Sequence, residues 1–176
     1  MQRNTGSSKA ILFWLFLLTA VSPVAALAET IVLPPVIFSD IPVDRYEQKL
    51  AADAFYDSAR HELQQKGYEV ATSAPIPEVN LRQTARSLAE KGERLAVIRI
   101  EHYLDAGFGE DSRRAGYLEV YASAKAFNTD NGELFWEGEG HGTSDRTTTG
   151  VSSIRMELSL AADEVMRELF ATLPAP

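Results

Sequence analysis

The chain has 176 residues, a formal net charge of −8, three histidines and no cysteine. That length fits one domain with a sizeable core. The acidic balance excludes nucleic-acid binding and electrostatic docking on anionic lipid, since both need clustered Lys and Arg. The lack of cysteine excludes disulfides, thiol catalysis and a lipidated cysteine.

The first residues read as an export signal. Arg3 and Lys9 form a basic lead without acids, and Ile11 to Leu18 is an apolar run too short for a comfortable membrane span. Ser22 and Pro23 interrupt it, and Ala26-Leu27-Ala28 offers small residues for cleavage. Cleavage before Glu29 is expected. Residues 1–28 are then a signal peptide and 29–176 a single α/β domain, soluble in the bacterial periplasm, with no membrane span and no lipid anchor. Loss of Arg3 and Lys9 takes the net charge from −8 to −10.

Thr30 to Phe38 is apolar and β-branched, so a buried strand is expected, with Pro34 and Pro35 at its end, a bulge or an unpaired side. Asp44 is placed to cap a helix running to about Lys66, with Ala52, Phe55, Tyr56, Ala59 and Leu63 on one stripe and Gly67 as terminator. Tyr68 to Thr72 reads as a second strand and Ala74 to Glu78 as a proline-stiffened loop. Val79 to Lys91 reads as a second helix with Leu81, Ala85, Leu88 and Ala89 inward, closed by Gly92. Leu95 to Ile100 is the most strand-like run and belongs at the sheet centre. Residues 106–114 have the composition of a polar loop.

Tyr117 to Gly142 reads as a β-hairpin turning at Asn131-Gly132, both tolerant of positive φ. A three-residue loop with Gly132 left-handed pairs Lys125 with Glu137, Ala126 with Trp136 and Phe127 with Phe135. One face then carries Ala122, Ala124, Ala126, Trp136, Gly138 and Gly140, shallow enough for a helix to approach closely. The other carries Tyr121, Lys125, Phe127, Phe135 and Glu137. Thr143 to Gly150 reads as a mobile polar loop. A last helix from about Val151 to Leu173 has Ile154, Leu158, Ala161, Val165 and Leu169 on one stripe and stops at Pro174.

This order predicts a single-domain α/β fold: a mixed, mainly parallel five-stranded sheet in order 2-1-3-4-5. A β-hairpin lies at one side, the strand order puts the first two flanking helices on opposite faces, and the whole is a Rossmann-like sandwich.

The chemistry legible in the chain is sparse. There is no Gly-x-Ser-x-Gly elbow, and His61, His102 and His141 lack metal-ligand spacing. His102 and His141 fall near strand ends, where they can approach each other with Asp105 or Asp145 nearby. Gly107-Phe-Gly109 and Gly138-Glu-Gly140 precede no helix that would present phosphate with its N-terminus. Asp105, Glu110 and Asp111 lack the spacing of a calcium loop. No catalytic residue, metal or cofactor is therefore expected. The strand order opens a crevice lined by Ser39, Asp40 and Asp105, which supports an alternative reading as a small-ligand-binding protein or hydrolase. The face of Tyr121, Lys125, Phe127, Phe135 and Glu137 is either covered by a helix or a partner-binding surface.

Ile31-Val-Leu-Pro-Pro35, Lys66-Gly-Tyr-Glu-Val70, Leu95-Ala-Val-Ile98 and Asp130-Asn-Gly-Glu-Leu-Phe-Trp136 follow one another in an exported chain. In this the chain resembles bacterial envelope proteins whose domain is like the N-terminal domain of TolB. That group includes the curli-secretion lipoprotein and the outer-membrane lipoprotein that activates a peptidoglycan synthase. The resemblance implies an α/β fold and a non-enzymatic role in protein contact or assembly at the envelope, and it brings no catalytic residues. The chain departs from many members in lacking the lipobox cysteine. The function expected is that of a non-enzymatic periplasmic cell-envelope protein, a protein-interaction or assembly module for another envelope protein or for itself.

Overall fold

The structure, a computed structural model, describes residues 28–39, 45–106, 117–145 and 154–176. In chain order they form β1 (Thr30–Leu33), β2 (Ile37–Phe38), α1 (Arg45–Gln65), β3 (Glu69–Thr72), a 3-10 turn (Glu78–Asn80), α2 (Leu81–Ala89), β4 (Arg94–Ala106), β5 (Tyr117–Phe127), β6 (Leu134–Asp145) and α3 (Ile154–Leu169). These strands make one mixed sheet in the order β3-β1-β4-β5-β6, with β2 pairing β4 beyond the end of β1.

The sheet has six strands, not five, because the expected first strand breaks at Pro34-Pro35, which cannot donate to a ladder. Nor is it mainly parallel. The parallel pairings β1·β3, β1·β4 and β2·β4 join four, two and two pairs of residues, whereas the antiparallel pairings β4·β5 and β5·β6 join eleven each. Expected loop boundaries shift accordingly: β4 runs on to Ala106 and β6 to Asp145. The cap at Asp44 lies outside the described residues.

One face of the sheet is covered by α1 and α3, which pack against each other over Ile31, Leu33, Ala96, Ile98, Ile100 and the alanines of β5. The buried stripe of α1 is Ala51, Phe55, Ser58, Ala59 and Leu63, turned slightly from the expected one, with Ala52 and Tyr56 half-buried. Buried Ser58 donates to Asp163 Oδ1 of α3 at 2.7 Å, so its hydroxyl is not orphaned between the helices. Gly67, at φ +100°, ends α1 and lets Tyr68 turn back into the sheet.

Close approach of α3 is written into β6. A Cβ on Gly140 would lie 2.5 Å from the Val165 carbonyl oxygen, and one on Gly142 2.9 Å from that of Ala161. The opposed residues on β5 are Ala122 and Val120, themselves buried. From this position α3 reaches over the outer edge of β6. Glu168 Oε2 accepts from the His141 backbone N–H at 2.9 Å and Glu164 Oε2 from that of Thr143 at 3.0 Å.

The C-terminal segment folds back along the end of α1. Lys66 Nζ donates to the Leu173 carbonyl at 3.0 Å, and the Tyr68 hydroxyl to that of Pro174 at 2.9 Å. Burial raises the Tyr68 phenol above its ordinary pKa of 10.0, while Arg94 lowers it and Glu29 raises it. The folded state thus holds this proton more tightly than the unfolded state does. The resulting stabilisation is complete below pH 10.0 and is lost as pH rises through the folded pKa. Tyr68→Phe is therefore expected to lose about 0.5–1.5 kcal/mol at neutral pH with the hydrogen bond, yet to lose less further stability than the parent on passing above pH 10.0. Urea midpoints on both sides of that pH check the prediction, and parallel curves for the two proteins refute it.

Candidate functional site

The second face of the sheet is covered unequally, for a reason of length. Nine residues of helix span about 14 Å at 1.5 Å each, whereas thirteen residues of strand span about 43 Å at 3.3 Å each. Helix α2 buries Ala85 with Leu95, Val97 and Phe127, and Leu81 and Leu88 pack beside them. It is held there by the hairpin turn. Gly132, at φ +67°, sits so close to α2 that a Cβ would lie 2.5 Å from the Arg86 backbone nitrogen.

Beyond α2 no described helix covers the faces of β4, β5 and β6. The alternation of β5 explains what is displayed: Leu118, Val120, Ala122, Ala124 and Ala126 are buried, while Glu119, Tyr121, Ser123 and Lys125 point the other way. Cross-strand pairing aligns them in rows. Arg99, Ser123 and Glu139 form one row, and His102, Tyr121 and His141 the next. Lys125 is opposite Glu137 and Glu119 opposite Thr143. An irregularity in β4 between Ile100 and His102 adds Glu101 to this surface.

Glu101 gathers the central hydroxyls. It accepts from Ser123 at 2.7 Å and from Ser39 at 3.0 Å, and lies 4.0 Å from Arg99. Arg99 in turn pairs with Glu78 at 2.7 Å, and Lys125 with Glu137 at 3.4 Å. As exposed ion pairs these contribute only about 0–1 kcal/mol each, so they order the surface more than they stabilise the fold. Tyr121 is 43% exposed between the two imidazoles, stacked on His141 with ring centroids 4.2 Å apart and edge-on to His102 at 5.7 Å. Its hydroxyl donates to Glu119 at 3.1 Å, and that hydrogen bond, with a smaller effect of burial, raises the phenol above its ordinary value. Glu119 also lies 3.4 Å from His141 Nε2. The part around Arg99, Ser123 and Glu139 forms an open trough of about 830 Å³, bordered at one end by Glu78 and Leu81 and reaching over β6 to Glu168, and a smaller hollow of about 360 Å³ continues it past Glu139 to Tyr121 and His141.

Of the expected partner-binding set, Tyr121, Lys125 and Glu137 share this face. Phe127 does not lie on its open part, because it is buried under α2. Phe135 leaves the face altogether. The hairpin register shifts after Ala126, so that Phe127 pairs with Leu134, and Phe135 packs on the α1–α3 side with the Arg94 guanidinium 4.5 Å from its ring centroid. The expected Phe127–Phe135 pair is thus replaced by a bulge that gives each ring its own cluster.

The expected crevice is only partly placed. Ser39 lies beside β4, its backbone N–H bonded to the Ile100 carbonyl, and its hydroxyl belongs to the Glu101 group. Asp40 lies outside the described residues, as does the side chain of Asp105, whose backbone pairs with Leu118 farther along β4. His102 and His141 do not meet as a pair, since Tyr121 on the intervening strand separates them. Among the described residues no three His, Asp or Glu side chains converge as a metal site, and no helix is long and apolar enough to cross a membrane.

The residues that sequence reasoning missed are Arg99, Glu101, Glu119, Ser123 and Glu139. Polar-apolar alternation from Leu118 to Ala126 already places Glu119 and Ser123 on the face of Tyr121. The irregularity that adds Glu101 leaves no comparable signal.

No family model and no curated protein matches the sequence. Among solved structures, the fold is similar to that of PelC from Paraburkholderia phytofirmans, solved as a dodecamer, with TM-score 0.56 at 17% identity over 85% of this chain and 89% of that one. It is also similar to a hypothetical protein from Chlamydia trachomatis, with TM-score 0.51 at 11% identity over 82% and 94% of the two chains. A weaker likeness, TM-score 0.44 at 16% identity over 72% and 88%, is to a lipoprotein from Neisseria meningitidis. At these identities the likeness is one of fold alone, and it rests on the first two structures.

Proposed function

We propose that this chain is a non-enzymatic protein of the bacterial cell envelope, acting as an assembly module that associates with further copies of itself. In this reading residues 1–28 direct export, the domain from Glu29 onward is free in the periplasm, and its fold is the TolB-like one that the sequence resembles. The observation that carries the proposal is the half-bare sheet. It exposes an aromatic side chain, Tyr121, and an aliphatic one, Leu104 at 39%, amid charges already ordered by pairing. Such a surface gains by burying area against a protein. The similarity to PelC, solved as a dodecamer, supports self-association as the form of that contact.

Light scattering on purified residues 29–176 tests the proposal. The expected result is a mass that is a multiple of one chain and falls on dilution. A single-chain mass at every concentration up to the solubility limit refutes it.

A further inference from the structure

We infer that the second copy docks through α2, each chain laying its α2 into the open trough of the other about a two-fold axis. This rests on the self-association proposed above and adds its surface and symmetry.

The first argument is charge. Arg82 and Arg86 lie one turn apart on the exposed side of α2, and neither has an ion-pair partner among the described residues. In the trough the two basic groups are already engaged, Arg99 by Glu78 and Lys125 by Glu137. Glu139 is exposed with no partner among the described residues, and Glu119 is met only by a phenol and an imidazole. Unbalanced positive charge on the helix thus matches unbalanced negative charge on the sheet. Complementary patches of this kind set register and partner choice.

The second argument is shape. Helix α2 stands on the same side of the sheet as the trough and borders it, so one face carries a raised half beside a recessed half. Rotating a second copy by half a turn drops each raised half into the other's recess, the self-complementary arrangement of an isologous pair. Gly132, pressed against the Ala85–Arg86 backbone, fixes the helix that makes this step. The third argument is apolar. Val79, at the leading end of α2, is 92% exposed, the most exposed of the large hydrophobic residues described. In the pair it meets Tyr121 and Leu104 of the other copy.

Charge reversal on each side tests the contact. The chains compared are residues 29–176 of the parent, a helix variant (Arg82→Glu with Arg86→Glu) and a face variant (Glu119→Lys with Glu139→Lys), each shown to be folded by circular dichroism. If the face variant does not fold, Glu139→Lys alone replaces it, because that side chain is exposed and unpartnered. Each variant alone is expected to need about tenfold or more higher concentration to associate, since like charges then meet in both halves of the contact. An equimolar mixture of the two is expected to associate as the parent does, since opposite charges then meet in both halves. A parent that is monomeric throughout overturns both the self-association and this docking. A parent that associates, with variants that match it or with a mixture that stays dissociated, overturns the docking alone.

Discussion

Replacing Gly140 with alanine is expected to cost about 1–3 kcal/mol of stability, the usual range for forcing extra volume into a well-packed site. The added Cβ would lie 2.5 Å from the Val165 carbonyl oxygen and 2.9 Å from both the backbone nitrogen and the Cβ of Leu169. All three belong to α3, and two are backbone atoms that no rotamer change can move aside. Relief therefore requires α3 to lift off the sheet as a body. That movement would loosen Val165, Met166 and Leu169, all 1% exposed or less, and draw Glu164 and Glu168 away from the N–H groups they cap. Urea unfolding followed by Trp136 fluorescence measures the cost. A midpoint equal to that of the parent would mean that α3 does not sit this close.

Phe170→Ala is expected to cost more, about 3–5 kcal/mol, as truncation of a buried aromatic to alanine does. Phe170 is fully buried immediately after α3 and stacks on Trp136 with ring centroids 5.8 Å apart at 23°. Trp136 is fixed further by its indole N–H, which donates to Thr172 Oγ1 at 3.1 Å. The truncation removes core volume and also frees an indole that two neighbours hold in place. Only Trp14 and Trp136 occur in the chain, so residues 29–176 contain a single tryptophan and the near-ultraviolet dichroism reports this stack directly. The expected outcome is a large drop in urea midpoint together with loss of the tryptophan band in protein that is still folded. A loss below about 1 kcal/mol would place Phe170 outside the well-packed core.

The hairpin shows how far the sequence leads. Asn131-Gly132 fixes the loop, and the structure keeps Gly132 at positive φ, with Lys125 opposite Glu137 and Ala126 opposite Trp136. The small residues of β5 and β6 announce a helix at close range, and α3 is that helix. The register fails one residue earlier in the turn, at Phe135. Pairing two phenylalanines across strands is a local preference worth about 0.2–1 kcal/mol. It yields to a tertiary arrangement in which Phe127 fills the space under α2 and Phe135 lies against Arg94. The ends of β4 and β6 escaped notice for a related reason. Glu101-His102 and Thr143-Ser144-Asp145 have loop-like composition because one side of each strand faces solvent. The candidate site was legible only in part, through Tyr121, Lys125 and Glu137. Its extent is set by the shortness of α2 against β4, and no residue of the trough carries that information by itself.

The carboxylates of α3 that cap β6 have a further consequence. An outermost strand of twelve residues is a template on which identical chains could zip together without limit, and this chain has no disulfide to hold it shut. Glu164 and Glu168 already occupy donors that an incoming strand would need, and they place negative charge where its carbonyl oxygens would arrive. Open-ended growth by strand addition is thereby blocked along this stretch of β6.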